Sequence, residues 1–216
     1  CTQVNFHLYH YAGNNPIRYI DPDGNIILCI NADYNMSDYP DINLGNSSSV
    51  KISTAGCYIT TFANVFSSSI YYNVPLDNAS KYDSTKKINN DKSLFIKDGA
   101  ALAGRSNSMN SLFGEGKWDY WTKDKQGIDG LYEKLKEYKN SDKACFIVGI
   151  FDLSSDTAVA TNHMVGISEL PDTNGDFTNG LTASSNGDYN RLINIRDKSA
   201  YNINNLKEIR VIFLED

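Results

Sequence analysis

Ser53-Thr54-Ala55-Gly56-Cys57-Tyr58-Ile59-Thr60-Thr61-Phe62-Ala63-Asn64-Val65-Phe66 is the stretch on which the fold turns. Ile59, Phe62, Ala63 and Phe66 recur at i, i+3, i+4 and i+7, the spacing of a helix with one buried face. Ser53 or Thr54 is the natural N-cap, because a short hydroxyl side chain there accepts from an otherwise unpaired backbone N–H. Cys57 then falls in the first turn of a buried helix. Unpaired N–H groups and the positive end of the helix dipole lower a thiol pKa at such a place. The backbone N–H of Cys57 is also free there to stabilise an oxyanion.

Downstream, residues 74–140 set short helical patterns between polar loops, one at 98–103 and a clearer one at 127–138 with Leu131, Leu135 and Tyr138. The last third alternates strands with turns, at 144–151, 163–170, 192–197 and 208–214. Residues 171–190, with Gly175, Gly180 and Gly187, read as a long hairpin loop between the second and third of these. A helix followed by a mainly antiparallel sheet makes the chain α+β. Upstream, 31–49 is rich in Asn, Asp and Ser, with Pro40 and Gly45, and reads as a loop or linker.

Composition narrows the function classes. The chain has 216 residues, 41% of them hydrophobic and 12% aromatic, enough to bury a core and exclude wholesale disorder. Its 20 basic against 26 acidic residues, net −6, argue against a nucleic-acid partner, which needs a basic footprint. No apolar run approaches the roughly 20 residues of a membrane span. The cysteines stand at positions 1, 29, 57 and 145, without the paired spacing of a zinc site and too sparse for a disulfide scaffold. No metal and no cofactor is expected. Cys29 and Cys145 lie in apolar runs and read as free thiols packed in strands.

His7 and His10 belong to an atypical N-terminal stretch, which leaves His163 for the rest of the chain. It stands 106 positions after Cys57 (163 − 57), at the start of a strand. If 163–170 and 192–197 pair antiparallel, the start of the first lies beside the end of the second. Asp197 then neighbours His163, where a carboxylate could hold the second ring nitrogen and fix the tautomer. Taken singly, each residue has a plainer reading: buried helix packing, a structural strand histidine, a solvated strand end. Together Cys57, His163 and Asp197 form a nucleophile, base and orienter.

Two resemblances add to this. Leu8-Tyr9-His10-Tyr11-Ala12-Gly13-Asn14-Asn15-Pro16, followed by Tyr19-Ile20-Asp21-Pro22-Asp23-Gly24, resembles the end of the RHS-repeat-associated core, after which a variable C-terminal domain, often a toxin, follows. A single Asp-Pro motif of this kind implies no self-cleavage within the chain, and a start at Cys1 rather than Met reads as a cut in a longer protein. Gly56-Cys57-Tyr58-Ile59-Thr60-Thr61-Phe62-Ala63-Asn64-Val65, with Asn162-His163-Met164-Val165-Gly166-Ile167 and Ile193-Asn194-Ile195-Arg196-Asp197, is similar to papain-like cysteine peptidases of the bacterial group that processes bacteriocin leaders. That group has Gly where Tyr58 stands, and a Gln before the nucleophile that this chain lacks. Asn46, Ser49 and Ser53 are the substitutes available as oxyanion donors.

The resemblances imply residues 1–30 as the core's tail and linker start, 31–49 as linker, and 50–216 as a papain-like domain with its nucleophile helix on a mainly antiparallel sheet. They imply a cysteine peptidase acting as a toxin or effector on a protein or peptide. It would be exported to the cell surface or medium, and an immunity protein is a possible partner. A thiol amidase or deamidase would need the same triad. A non-catalytic binding domain is the alternative from another class, and an acidic chain with one such His does not suit a nuclease toxin.

Overall fold

The computed structural model describes residues 27–30, 34–141, 143–153, 162–177, 181–182 and 201–214. Residues 1–26, the resemblance read on them, and the expected strand at 192–197 with Asp197 lie outside this set.

The quoted stretch does form a helix, α2 (Cys57–Tyr71), preceded by a single turn, α1 (Ile52–Ala55). Ser53 and Thr54 fall inside α1 instead of capping α2, whose N-cap is Gly56. α2 is also more central than one apolar stripe suggests. Ile59, Phe62, Ala63, Val65 and Phe66 are buried, and so are Thr60, Thr61, Asn64, Ser68 and Ser69. Buried polar groups need partners, and these find them on neighbouring backbone. Thr60 Oγ1 donates to the Gly56 carbonyl at 3.0 Å, and Ser69 Oγ to Phe66 at 2.8 Å. The Asn64 amide accepts from Tyr34 N–H at 2.9 Å and donates to Tyr34 O at 3.0 Å.

That pair of hydrogen bonds to Tyr34 is one reason residues 34–50 are no free linker. Their backbone is loop and a turn of 3-10 helix, but Met36, Tyr39 and Leu44 sit in the core with α2. On another side of α2, Phe113 stacks on Phe66 at 4.9 Å and meets Phe62 edge-on at 5.3 Å. Phe113 ends α5 (Arg105–Phe113), which follows the short helices α3 (Ala79–Tyr82) and α4 (Thr85–Asn90). The helix expected at 98–103 is a turn instead. Asp98 takes a left-handed φ of 56°, Phe95 bridges to Leu102, and Gly104 at φ 85° sets the start of α5.

The sheet is antiparallel throughout and ordered β1-β5-β2-β3-β4. Its strands are β1 (Trp118–Thr122), β2 (Cys145–Asp152), β3 (Asn162–Ile167), β4 (Leu181–Thr182) and β5 (Leu206–Phe213). Between β1 and β2 runs α6 (Lys123–Lys139), broken at Gly127 (φ 70°) so that its main length begins where the sequence pattern placed it. Strand alternation divides the core in two. Phe146, Val148, Met164 and Ile212 face α2 and α5, while Ile147, Val165, Ile167, Ile209 and Val211 face Leu131, Leu135 and Tyr138 of α6. The molecule is therefore a three-layer α+β arrangement. Near residue 29 there is one parallel bridge, Ile27 to Cys145, and no full strand. Cys29 is disulfide-bonded, which corrects its reading as a free packing thiol. Among the described residues no helix is long and apolar enough to cross a membrane.

Candidate functional site

Cys57 owes its position to Gly56. The Gly56 N–H closes α1 on the Ile52 carbonyl at 2.8 Å, and α2 starts at the next residue. A Cβ at position 56 would stand 2.6 Å from that carbonyl oxygen and 2.7 Å from Ile52 Cγ2. Only glycine lets α1 fold this tightly onto the start of α2. Gly56 is thus a steric requirement of the turn that presents the thiol.

From there α2 meets β3 by two polar contacts to one residue. Thr61 Oγ1 donates to the Met164 carbonyl at 3.1 Å. The Met164 N–H lies near enough to the Cys57 sulfur to lower its pKa. Both in-plane backbone groups of a strand residue point to the same side in an antiparallel ladder. Both of Met164's go to α2, so they point away from β2, out of the strand's other edge. β4 covers that edge only at Gly166 and Ile167. The first turns of α2 cover it at Met164. Cys57 and Thr61 are four apart and share a helix face, a spacing visible in the sequence that the reading above left unused.

His163 is the neighbour of Met164, its Cα about 3.8 Å along the chain. It is buried and paired across the ladder with Phe151. The pleat directs its Cβ to the α6 side of β3, with Val165 and Ile167, while Met164 faces α2. Met164 thus stands between Cys57 on the α2 side of the sheet and the Cβ of His163 on the α6 side. The strand pairing expected to bring in Asp197 falls outside the described residues. Within them, β3 is joined on that side by Leu181 and Thr182, from the stretch read as a loop.

Electrostatically the thiol is pulled two ways. Burial pushes the Cys57 thiol up from its ordinary 9.0, and hydrogen bonds from the backbone N–H groups of Met164, Tyr58 and Cys57 itself pull it down. Burial is the larger effect, so the resting sulfur carries its proton at neutral pH. The three N–H groups would nonetheless favour negative charge forming there.

The proposed oxyanion donors occupy different settings. Asn46 gives its two amide hydrogens to Lys92 O at 3.1 Å and Ile96 O at 3.0 Å, and its backbone N–H to Gly99 O at 2.9 Å. It stitches two loops together and has no amide hydrogen left over. Ser49 is exposed, and Ser53 is half-buried in α1, a turn away from Cys57. Tyr58, in the position where the resembled group has Gly, donates its hydroxyl to the Ala100 carbonyl. Burial, and then the nearby Cys57, raise its pKa. Tyr58 thereby ties the loop around Ala100 to the turn that carries Cys57.

No family model matches the chain, and no curated protein matches it.

Proposed function

We propose that the protein is a cysteine-dependent hydrolase acting on a peptide or other amide bond, with Cys57 as nucleophile, His163 as base and Asp197 as the residue that orients His163. The observation that supports this reading is the packing of the first turns of α2 on β3 next to His163, where Thr61 Oγ1 donates to the Met164 carbonyl at 3.1 Å and the Met164 N–H lowers the Cys57 thiol pKa. His163 takes the thiol proton as the sulfur attacks the carbonyl carbon, and returns it to the departing nitrogen. Water then cleaves the thioester with His163 again as base. Because the resting thiol is protonated, proton transfer accompanies attack and does not precede it. The Cys57 N–H at the helix start is the preferred oxyanion donor, since both amide hydrogens of Asn46 are engaged. The RHS-like N-terminal stretch supports delivery as a toxin or effector domain of an exported protein, with an immunity protein as a natural partner.

The desolvation that raises the Cys57 pKa favours a second reading, a non-catalytic domain that keeps the fold for binding. Screening the purified chain against denatured proteins and peptide amides separates the two. Hydrolysis that vanishes in Cys57→Ala supports the enzyme, and hydrolysis that persists in this variant removes Cys57 from the mechanism. Failure of folded Cys57 to react with any thiol-directed electrophile favours the binding domain.

A further inference from the structure

Among the described residues the sheet ends in β1, whose five residues Trp118-Asp119-Tyr120-Trp121-Thr122 are almost all strong strand formers. An edge strand of this kind offers unpaired backbone groups to any other extended chain. The register fixes which groups these are. Lys117 O accepts from Phe213 N–H, so residues 117, 119 and 121 direct their backbone groups to β5, and 118, 120 and 122 direct theirs outward. Two of those outward N–H groups already have partners from the chain's own side chains. Tyr120 N–H donates to Asp119 Oδ1 at 2.8 Å, and Thr122 N–H to Gln126 Oε1 at 3.1 Å. Gln126 is the last residue before the break at Gly127, so the first turn of α6 stands beside the strand end it caps.

We propose that Asp119 and Gln126 are edge guards, and that the occupant they exclude is β1 of a second copy of this chain. Two β1 strands centred on Tyr120 would pair antiparallel and isologously, Trp118 opposite Thr122 and Asp119 opposite Trp121. Each copy would then need the N–H groups of Tyr120 and Thr122 that the guards hold. The two Asp119 carboxylates would also become diagonal neighbours about 7–8 Å apart, where like charges repel. The guards therefore act by occupying donors and by charge, and both actions fall on the same copy-to-copy pairing.

The test is sedimentation velocity on the full chain over a wide concentration range, with hydrogen exchange read at Tyr120 and Thr122. Wild type should stay monomeric. Asp119→Ala/Gln126→Ala should associate as concentration rises, and at low concentration its Tyr120 and Thr122 amides should exchange about fivefold or more faster, the loss of one modest hydrogen bond each. Asp119→Asn keeps the acceptor without the charge and should preserve slow exchange at Tyr120. Wild-type association through β1, a double variant that stays monomeric, or exchange unchanged in the folded double variant would each overturn the proposal.

Discussion

The backbone N–H of Met164 lies close enough to the Cys57 sulfur to lower the thiol's pKa. This proximity joins the first residue of α2 to the edge of β3 that faces away from β2, at the residue that follows His163. The Thr61 hydroxyl fixes the same strand residue from its carbonyl side, so α2 reaches β3 as a two-point clamp.

Thr61→Val keeps shape and removes the clamp's second point. The buried Met164 carbonyl then loses its partner, a cost of about 1–3 kcal/mol. Chemical denaturation should show that loss, and labelling of Cys57 by iodoacetamide should change rate in the folded variant. Thr61→Ser, which retains the hydroxyl, should restore most of both.

Gly56→Ala forces a Cβ to within 2.6 Å of a backbone oxygen, which no side-chain adjustment relieves. A destabilisation of about 1–3 kcal/mol or more follows from overpacking of this kind. The thermal midpoint should fall well below that of Cys57→Ala, which removes only a sulfur from a half-buried position.

A buried ionic group on the α5 side of the sheet gives a stability prediction away from the thiol. Glu208 holds Arg105 and Arg210 at 2.6 Å each, and among the described residues Arg210 otherwise has only the Met109 sulfur at 3.6 Å. Burial pulls the Arg210 pKa down, and Glu208 opposes it. Glu208→Gln removes the charge that offsets a buried guanidinium and should cost about 3–5 kcal/mol. Pairing Glu208→Leu with Arg210→Met should cost less than the two single changes added together, as read from denaturation midpoints in a double-mutant cycle.

Alkaline pH should destabilise the fold. Burial pushes the Cys145 thiol up to about 12 from its ordinary 9.0, and burial raises Tyr138 in the same direction. Below pH 9 both folded and unfolded thiols keep the proton and stability is unaffected by this group. Between about pH 9 and 12 the unfolded chain releases it first, so stability falls as pH rises. Denaturation midpoints measured from pH 8 upward should decline, and Cys145→Ala should flatten the decline whatever it does to the absolute midpoint.

Local patterns in the sequence carry α2, the main length of α6, β2 and β5, because each has a period or an apolar run of its own. Cys57 at a helix start is legible for the same reason. What escaped depends on distant contacts. The packing of residues 34–50 rests on Asn64 reaching Tyr34 across 30 positions. The cap of α2 is a glycine squeezed against Ile52, where hydroxyl residues stood close by as plausible alternatives. β1 lacks strict alternation, since Trp118, Tyr120 and Trp121 are apolar on both faces. The clamp on Met164 uses backbone groups, which no side-chain pattern announces.

The measurement that bears most directly on the mechanism is the rate at which iodoacetamide alkylates Cys57 at pH 7, read by peptide mass in wild type and in His163→Ala of intact fold. With His163 as base, the variant should react about 100-fold or more slowly. Its rate should then climb with pH toward and beyond 9, as thiolate forms without help. Equal rates in the two proteins at pH 7 would contradict the pairing of Cys57 with His163.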